Sequence, residues 1–417
     1  MRTAAEASAH LLARVAPLPA VTRPLAEAHA HVLAEAAVGT ITLPPWPNAA
    51  MDGYAVRAAD VAGARADAPV TLAVTETIAA GAFPTCAVGP GEAARIMTGA
   101  PVPEGVDSVI RVEDTDAGIA RVAIHDVRDA GRNVRAAGED VRAGEALLEA
   151  GTWLGGPQLG LLAAAGVPEV RVHRRPRVAI IASGDELVPL AQVDEARAGR
   201  RLVSSNSIAL AALVREAGGE PHDFGIAPDN AEALAAALRA AARDADLILT
   251  TAGVSVGAFD YTRDAVALAG GTIDFWKVRL RPGAMLGAGR VGDVPWLGLP
   301  GNPVSAAVTF ELFAHPLLRR LLGHAAVHPQ AVPCELAEPV RTAGGATYLL
   351  RVRLAPRTGA PALASLAGGQ GSHVQSALAR GNALLIVPPE QAQAPAGTVL
   401  RAIPLGEGRS FGPEFPF

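Results

Sequence analysis

VAIIASG, residues 178–184, is an apolar run closed by a serine and a glycine. A short run of this kind, ending in a turn signal, reads as a strand buried on both faces. The residues beyond it repeat the theme. Ser207–Ala217 reads as a helix, Asp223–Ala227 as a strand, Ala231–Arg243 as a helix and Asp246–Thr251 as a strand. Tyr261–Ala269 is helical, Thr272–Val278 extended, Met285–Gly298 a hairpin and Pro303–Leu322 one long helix. Alternating units of this kind predict a doubly wound, mostly parallel α/β domain over residues 177–327. Ligands of such sheets bind beyond the carboxyl ends of the strands. Three loops fit that position: Ser183–Leu187, Ala252–Asp260 and Leu299–Pro303.

The flanking sequence differs in texture. Roughly the first 30 residues show apolar positions at helical spacing: Leu11, Leu12, Val15, then Leu25, His29, Val32 and Leu33. Residues 51–138 are short, β-branched and punctuated by Gly and Pro, with strands expected at Val70–Val74, Ala93–Met97, Ser108–Val112 and Val122–Ile124. Gly144–Val172 returns to strand, turn and a short helix at Gly156–Ala165, so residues 1–50 and 139–176 are read as one discontinuous linker domain. From residue 328 to 417 the pattern is β again and predicts a compact barrel-like C-terminal domain. The expected fold is therefore multi-domain: α/β at the centre, with β-rich N-terminal and C-terminal parts.

Composition narrows the function. The chain has 417 residues, a formal net charge of −5 and 18% charged residues. No Lys/Arg-rich run marks a nucleic-acid footprint, and no uncharged apolar run reaches the roughly 18 residues of a membrane span. Glu6 and His10 interrupt what would be the apolar part of a signal peptide. Cys86 and Cys334 form no disulfide framework or metal cluster and read as two reduced thiols of a cytoplasmic protein.

Several motifs carry chemistry, each beside a plainer explanation. GAGRVG (Gly287–Gly292) satisfies the dinucleotide fingerprint but runs into Asp293-Val-Pro-Trp, which opens no helix, and reads as a hairpin turn. GVSVG (Gly253–Gly257) satisfies the nucleophile-elbow pattern of hydrolases. That reading needs a helix starting at Ser255, whereas helical character resumes after Asp260; later histidines leave a triad arithmetically open. The preferred reading is a Gly-rich loop whose N–H groups and Ser255 hydroxyl face an anion. In Pro300-Gly-Asn-Pro303, Asn302 suits an N-cap and Pro303 the first helical position, a start that also suits oxyanions. Asp229-Asn-Ala-Glu232 fits a capping box, with Asp229 as cap. In WKVRLRPG (Trp276–Gly283), alternation puts Lys277, Arg279 and Arg281 on one strand face, where three like charges call for an anion. Any metal would be a hard cation held by a few turn carboxylates, in the manner of Mg²⁺.

Taken together these segments resemble the molybdopterin molybdenumtransferase family, which includes MoeA and the E domain of gephyrin. MDGYAVR (Met51–Arg57), RIMTGAPVPEG (Arg95–Gly105), GEDVRAG (Gly138–Gly144), SGDELV (Ser183–Val188), GVSVGAFDY (Gly253–Tyr261), WKVRLRPG, GLPGNPVSAAVTFELF (Gly298–Phe313) and GGQGSH (Gly368–His373) follow the family's order over nearly the whole chain. The resemblance implies four domains, a homodimer, Mg²⁺, and the substrates adenylylated molybdopterin and molybdate, with AMP released. It also implies an adenylyltransferase as donor and molybdoenzymes as clients. Carried over by position, Asp52, Asp140, Glu186, Asp260 and Lys277 would serve catalysis, with Glu186, Asp229 and Asp260 holding the metal. Thr98, Arg135, Arg281, Pro300 and Pro303 would meet substrate, as would Arg351 and Ser372. Asp52 and Asp140 would act on the partner's site. The chain departs from the family at Ala284-Met285, at Arg135-Ala-Ala137, at Ala49-Ala50 and at Ser204-Ser-Asn-Ser. The alternative is a non-catalytic, cofactor-binding paralogue or carrier.

Overall fold

In a computed structural model, which describes residues 1–251 and 259–417, strand Arg177–Ser183 sits inside a six-stranded sheet. It pairs in parallel with Glu220–Ala227 on one side and Leu247–Thr251 on the other, and Val294–Leu299 continues the parallel run. Met285–Val291 and Gly271–Lys277 complete the sheet antiparallel. Alternation along the central strand sorts the two cores. Val178 and Ile180 face Leu210 and Val214 of helix Ser205–Glu216 and the long helix beginning at Pro303. Ala179 and Ile181 face Leu234 and Leu238 of helix Ala231–Asp244, with Ala265 and Val266 of Phe259–Leu268. Arg177–Ser183 and Leu247–Thr251 are apolar on both faces because helices cover both, whereas the edge strand Glu220–Ala227 is largely exposed. GAGRVG is a hairpin: Val291 pairs with Val294 around Gly292 at φ +57°.

The long helix is not uniform. It runs α over Pro303–Thr309, π over Phe310–Ala314 and α again over His315–Leu321. Two residues account for the change. Pro316 lacks the N–H that an unbroken ladder needs, and the Thr309 hydroxyl donates back to the Ser305 and Ala306 carbonyls at 2.8 and 3.1 Å.

The expected N-terminal helical stretch is corrected. Ala4–Leu12 is an α-helix with a Thr3/Glu6 capping box and Leu25–Glu27 a single 3-10 turn, but Ala20–Pro24 between them is a strand paired antiparallel with Glu169–His173. Pro17, Pro19 and Pro24 remove donors a helix would use, and that constraint outweighs the apolar spacing. Ala4, Ala7 and Leu11 are buried in the core of the α/β domain.

Residues 51–138 hold a five-stranded sheet ordered Ser108–Arg111, Gly53–Val56, Glu92–Ile96, Val70–Ile78, Arg121–Ile124. At the C-terminus, Thr347–Arg357, Ala360–Leu366, Val332–Leu336, Val399–Pro404 and Ala383–Val387 close into a barrel when the last pairs with the first. Leu280–Arg281 leaves the α/β domain to add to that barrel, in parallel with Thr347 and Tyr348.

One position in the β-rich sheet tolerates no side chain. A Cβ on Gly53 would lie 1.9 Å from the Ile110 carbonyl oxygen. Gly53→Ala is expected to destabilise this sheet by about 1–3 kcal/mol, seen as a lower urea midpoint and faster proteolysis within residues 51–138. An unchanged midpoint would contradict the close pairing.

Candidate active site

Four parallel strands end on one edge, and described residues at those ends line a cleft of about 890 Å³. Ser183, Gly184 and Glu186 come from the central strand, Asp229 from the end of Glu220–Ala227 and Thr251 from Leu247–Thr251. Pro300 to Pro303 follow Val294–Leu299, and His373 and Gln375 reach in from the C-terminal domain.

Asp229 is the best-anchored carboxylate of the cleft. The expected capping box is corrected here: Asn230 is the N-cap, its side chain accepting from Ala233 N at 2.8 Å. One residue earlier, Asp229 is released from capping and turns to the cleft. Its Oδ1 accepts from Ser183 Oγ at 3.1 Å and Tyr261 Oη at 2.9 Å, and Oδ2 from the Asp185 N–H at 3.3 Å. Burial and the Asp229 charge push the Tyr261 phenol up to about 12, so it stays a donor to the carboxylate. Ser183 and Tyr261 lie 2.7 Å apart and complete the clamp. Neither was singled out from sequence. The signal was present, since Ser183 ends a buried strand and Tyr261 ends the motif GVSVGAFDY.

Glu186 lines the same cleft and is exposed. Among the described residues, no three His, Cys, Asp or Glu side chains are grouped to hold a metal ion. Asp229 and Glu186 still suit a hard cation that completes its shell with substrate oxygens and water. Asp260 lies in the first turn of helix Phe259–Leu268. Its side chain lies outside the described residues, as do Ser255 and with it the nucleophile-elbow reading.

The cationic strand divides. Burial alternates from Lys277 to Arg281, but the three side chains do not share one space. Lys277 pairs in register with Met285, which lines the cleft. Arg279 instead lines a separate cavity with Thr3, Thr347 and Phe417. Arg281 faces a third cavity of about 300 Å³ with Arg351 and Ser372. Gly283, Ala284 and Ser305 line both this cavity and the cleft, so the two adjoin.

Arg351 is 1% exposed, and its guanidinium donates to the carbonyls of Leu349, Gly369 and Gly371 at 3.1–3.3 Å. Its Nε is buried without a partner, and burial depresses its pKa. These bonds fix the GGQGSH loop, whose Ser372 carbonyl accepts from Val304 N at 3.1 Å. Asn302 occupies the N-cap without a side-chain cap bond, so a loop of the C-terminal domain satisfies this helix start instead.

Four of the expected site residues lie elsewhere in the chain. Asp52 Oδ1 accepts from both the N–H and the hydroxyl of Thr98, each at 2.7 Å, which holds its carboxyl below the usual range. Arg135 pairs with Asn48, and Asp140 donates its N–H to the Leu43 carbonyl at 3.1 Å. None of Asp52, Thr98, Arg135 and Asp140 lines the cleft of its own chain.

Three family models match in order: the MoeA N-terminal region (domain I and II) over residues 2–166, a probable molybdopterin binding domain over 179–320, and the MoeA C-terminal region (domain IV) over 333–405. The chain is 38% identical over 386 residues to molybdopterin molybdenumtransferase 2 of Mycobacterium tuberculosis, covering 91% of this chain and 94% of the relative. It is 42% identical over 299 residues to the molybdopterin molybdenumtransferase of a Nostoc species, covering 71% and 68%. The crystal structure of a molybdopterin biosynthesis moeA protein from Pyrococcus horikoshii OT3 superposes with a TM-score of 0.83 at 28% identity, over 97% of this chain and all of that one (100%). With the order of the three matched regions, these matches show that the chain belongs to the molybdopterin molybdenumtransferase family.

Proposed function

We propose that this chain inserts molybdenum from molybdate into adenylylated molybdopterin, releasing AMP, at the cleft where the parallel strands end. The observation that carries the reading is the division of charge across two adjoining cavities. Carboxylates Asp229 and Glu186 stand in the larger one; Arg281 and the buried Arg351 stand by the smaller one. A nucleotide-linked pterin needs the volume and metal-holding groups of the first. A tetrahedral dianion needs the second, where planar guanidinium groups match its oxygens. The net charge of −5 attracts neither substrate, so local cations have to collect them.

Asp229 and Glu186, with Asp260, would hold Mg²⁺, which supplies charge neutralisation at the pyrophosphate and polarises the bond to be cleaved. Ser183 and Tyr261 keep the Asp229 carboxylate in one orientation, so no reorganisation is needed when substrate arrives. Arg281 and Ser372 receive molybdate beside the pterin, while Lys277 offers a point charge near the junction. No covalent nucleophile is required of the protein. Asp52 and Asp140 complete the site from the partner of a homodimer in this reading, which accounts for their absence from the cleft of their own chain. A cytoplasmic setting is supported by the two unpaired cysteines, Cys86 and Cys334. A carrier without catalysis finds less support, because the curated relatives bear transferase names.

Asp229→Asn keeps an acceptor for Ser183 and Tyr261 but removes the charge. AMP release from adenylylated molybdopterin, measured with Mg²⁺ and molybdate, should fall about a hundredfold while the substrate stays bound. Undiminished release would overturn the metal-holding role. Arg281→Gln should raise the molybdate concentration needed for half-maximal turnover about tenfold and leave pterin affinity unchanged; a loss confined to pterin binding would contradict the oxyanion assignment. Co-expressing Asp52→Asn and Asp229→Asn chains tests the shared site. Random pairing into dimers should restore roughly a quarter of wild-type turnover, whereas sites complete within one chain would stay inactive.

A further inference from the structure

The π-turn at Phe310–Ala314 has its effect far from the cleft. At this turn Glu311 and His315, 2% and 3% exposed, lie on one side of the helix, with Glu311 Oε1 and His315 Nδ1 3.5 Å apart. Such turns recur at functional sites. Arg409, from the C-terminal tail, bridges Glu311 at 3.0 Å and Glu216 at 3.3 Å. Beside this group lies a cavity of about 320 Å³ where three regions meet: the ends of two α/β-domain helices, the N-terminal region at Ala30 and Trp153, and the tail from Gly406 to Phe411.

Arginines dominate its lining. Arg175, Arg215, Arg319 and Arg409 all reach it, against one lining carboxylate, Glu216. Arg409 already engages both nearby carboxylates. Arg175, Arg215 and Arg319 form no ion pair among the described residues, and the Arg175 Nε is buried with no hydrogen-bond partner. Arg319 donates only Nε, to the Ala326 carbonyl at 2.9 Å, and lies 3.6 Å from the centre of the Phe411 ring. Burial lowers Arg319 to about 10, which still leaves it charged at neutral pH, and lowers His324 to about 3, which leaves it neutral. Helix C-termini attract cations and so account for Arg215 and Arg319. They do not account for Arg175, which comes from the linker, or Arg409, from the tail. Convergence of cations from separate segments is unfavourable unless an anion joins them.

We propose that this cavity binds a small oxyanion, free phosphate or the phosphoryl group of a phosphorylated metabolite, between Arg175, Arg215 and Arg319. The site is distinct from the cleft: helix Ser205–Glu216 begins at the cleft and ends here, about 18 Å away along its axis. Guanidinium forks suit two oxygens of one phosphoryl group, and neutral His324 adds a ring N–H or acceptor. A bound anion would tie the N-terminal region to the far end of the α/β domain and stabilise that junction by mass action.

The test is calorimetric titration with inorganic phosphate at fixed ionic strength, on the full chain carrying Arg281→Gln to weaken oxyanion binding at the cleft. Saturable binding is expected, weakened about tenfold or more by Arg175→Gln or Arg319→Gln added to that background. Arg215→Gln changes an exposed side chain and should weaken binding while leaving the thermal midpoint in phosphate-free buffer unchanged. Glycerol 3-phosphate run in the same way identifies the source: tighter binding than phosphate, lost on Arg175→Gln, points to a phosphorylated metabolite, and equal or weaker binding to the free anion. Absence of saturable phosphate binding to the Arg281→Gln protein, or equal affinity in all three added variants, overturns the proposal.

Discussion

Parallel pairing imposes one requirement on which the rest depends: strands that run the same way must all end on the same edge. Glu220–Ala227, Arg177–Ser183, Leu247–Thr251 and Val294–Leu299 obey it, so Asp229, Ser183, Thr251 and Pro300 arrive together although they are distant in sequence. An antiparallel arrangement would send alternate loops to the opposite edge. The cleft follows from strand direction before any particular side chain is considered. Side chains then decide what it can hold.

Electrostatics is arranged by separation rather than by net charge. Carboxylates occupy the strand-end loops, while Arg281 and Arg351 stand beyond Gly283 and Ser305. The Arg351 guanidinium has only backbone carbonyl partners among the described residues, so its charge is oriented by backbone dipoles and not cancelled by a carboxylate. A buried cation held in this way keeps its field available to a ligand. Asp229 is handled in the converse manner, with two neutral hydroxyl donors that orient its charge without neutralising it.

The α/β core was legible because its central elements state their periods plainly: VAIIAS is apolar throughout, and Ala231–Asp244 is apolar on one face. The strands of the β-rich domain were legible for the same reason. The N-terminal stretch was not, because apolar spacing at Leu25, Val32 and Leu33 says nothing of donors lost to three prolines. At Asp229-Asn230 two adjacent residues both suit a cap, and only tertiary geometry decides which one takes it. Burial alternates from Lys277 to Arg281 as the spacing suggested, but the single strand face expected for the three charges does not form. The sequence could not show that the chain turns away at Leu280 to join the barrel, sending Arg279 into a different cavity. The clamp of Ser183 and Tyr261 depends on where a strand end meets the first turn of a separate helix, which no local pattern reports.

That same crossing at Leu280–Arg281, with the Ser372 carbonyl capping the helix at Val304, makes the α/β domain and the barrel difficult to regard as separable modules. Leu349, Leu384, Ile386 and Ile403 of the barrel share one core with Val178, Leu297 and the N-terminal Ala4 and Ala7. Cutting the chain between the two would expose apolar surface on both pieces and strip a helix of its cap. Two domains recognisable by sequence are thus a single cooperative unit in energy, and the molybdate seat we propose lies along their seam. Loss of registry between them would alter the pocket before it unfolded either part.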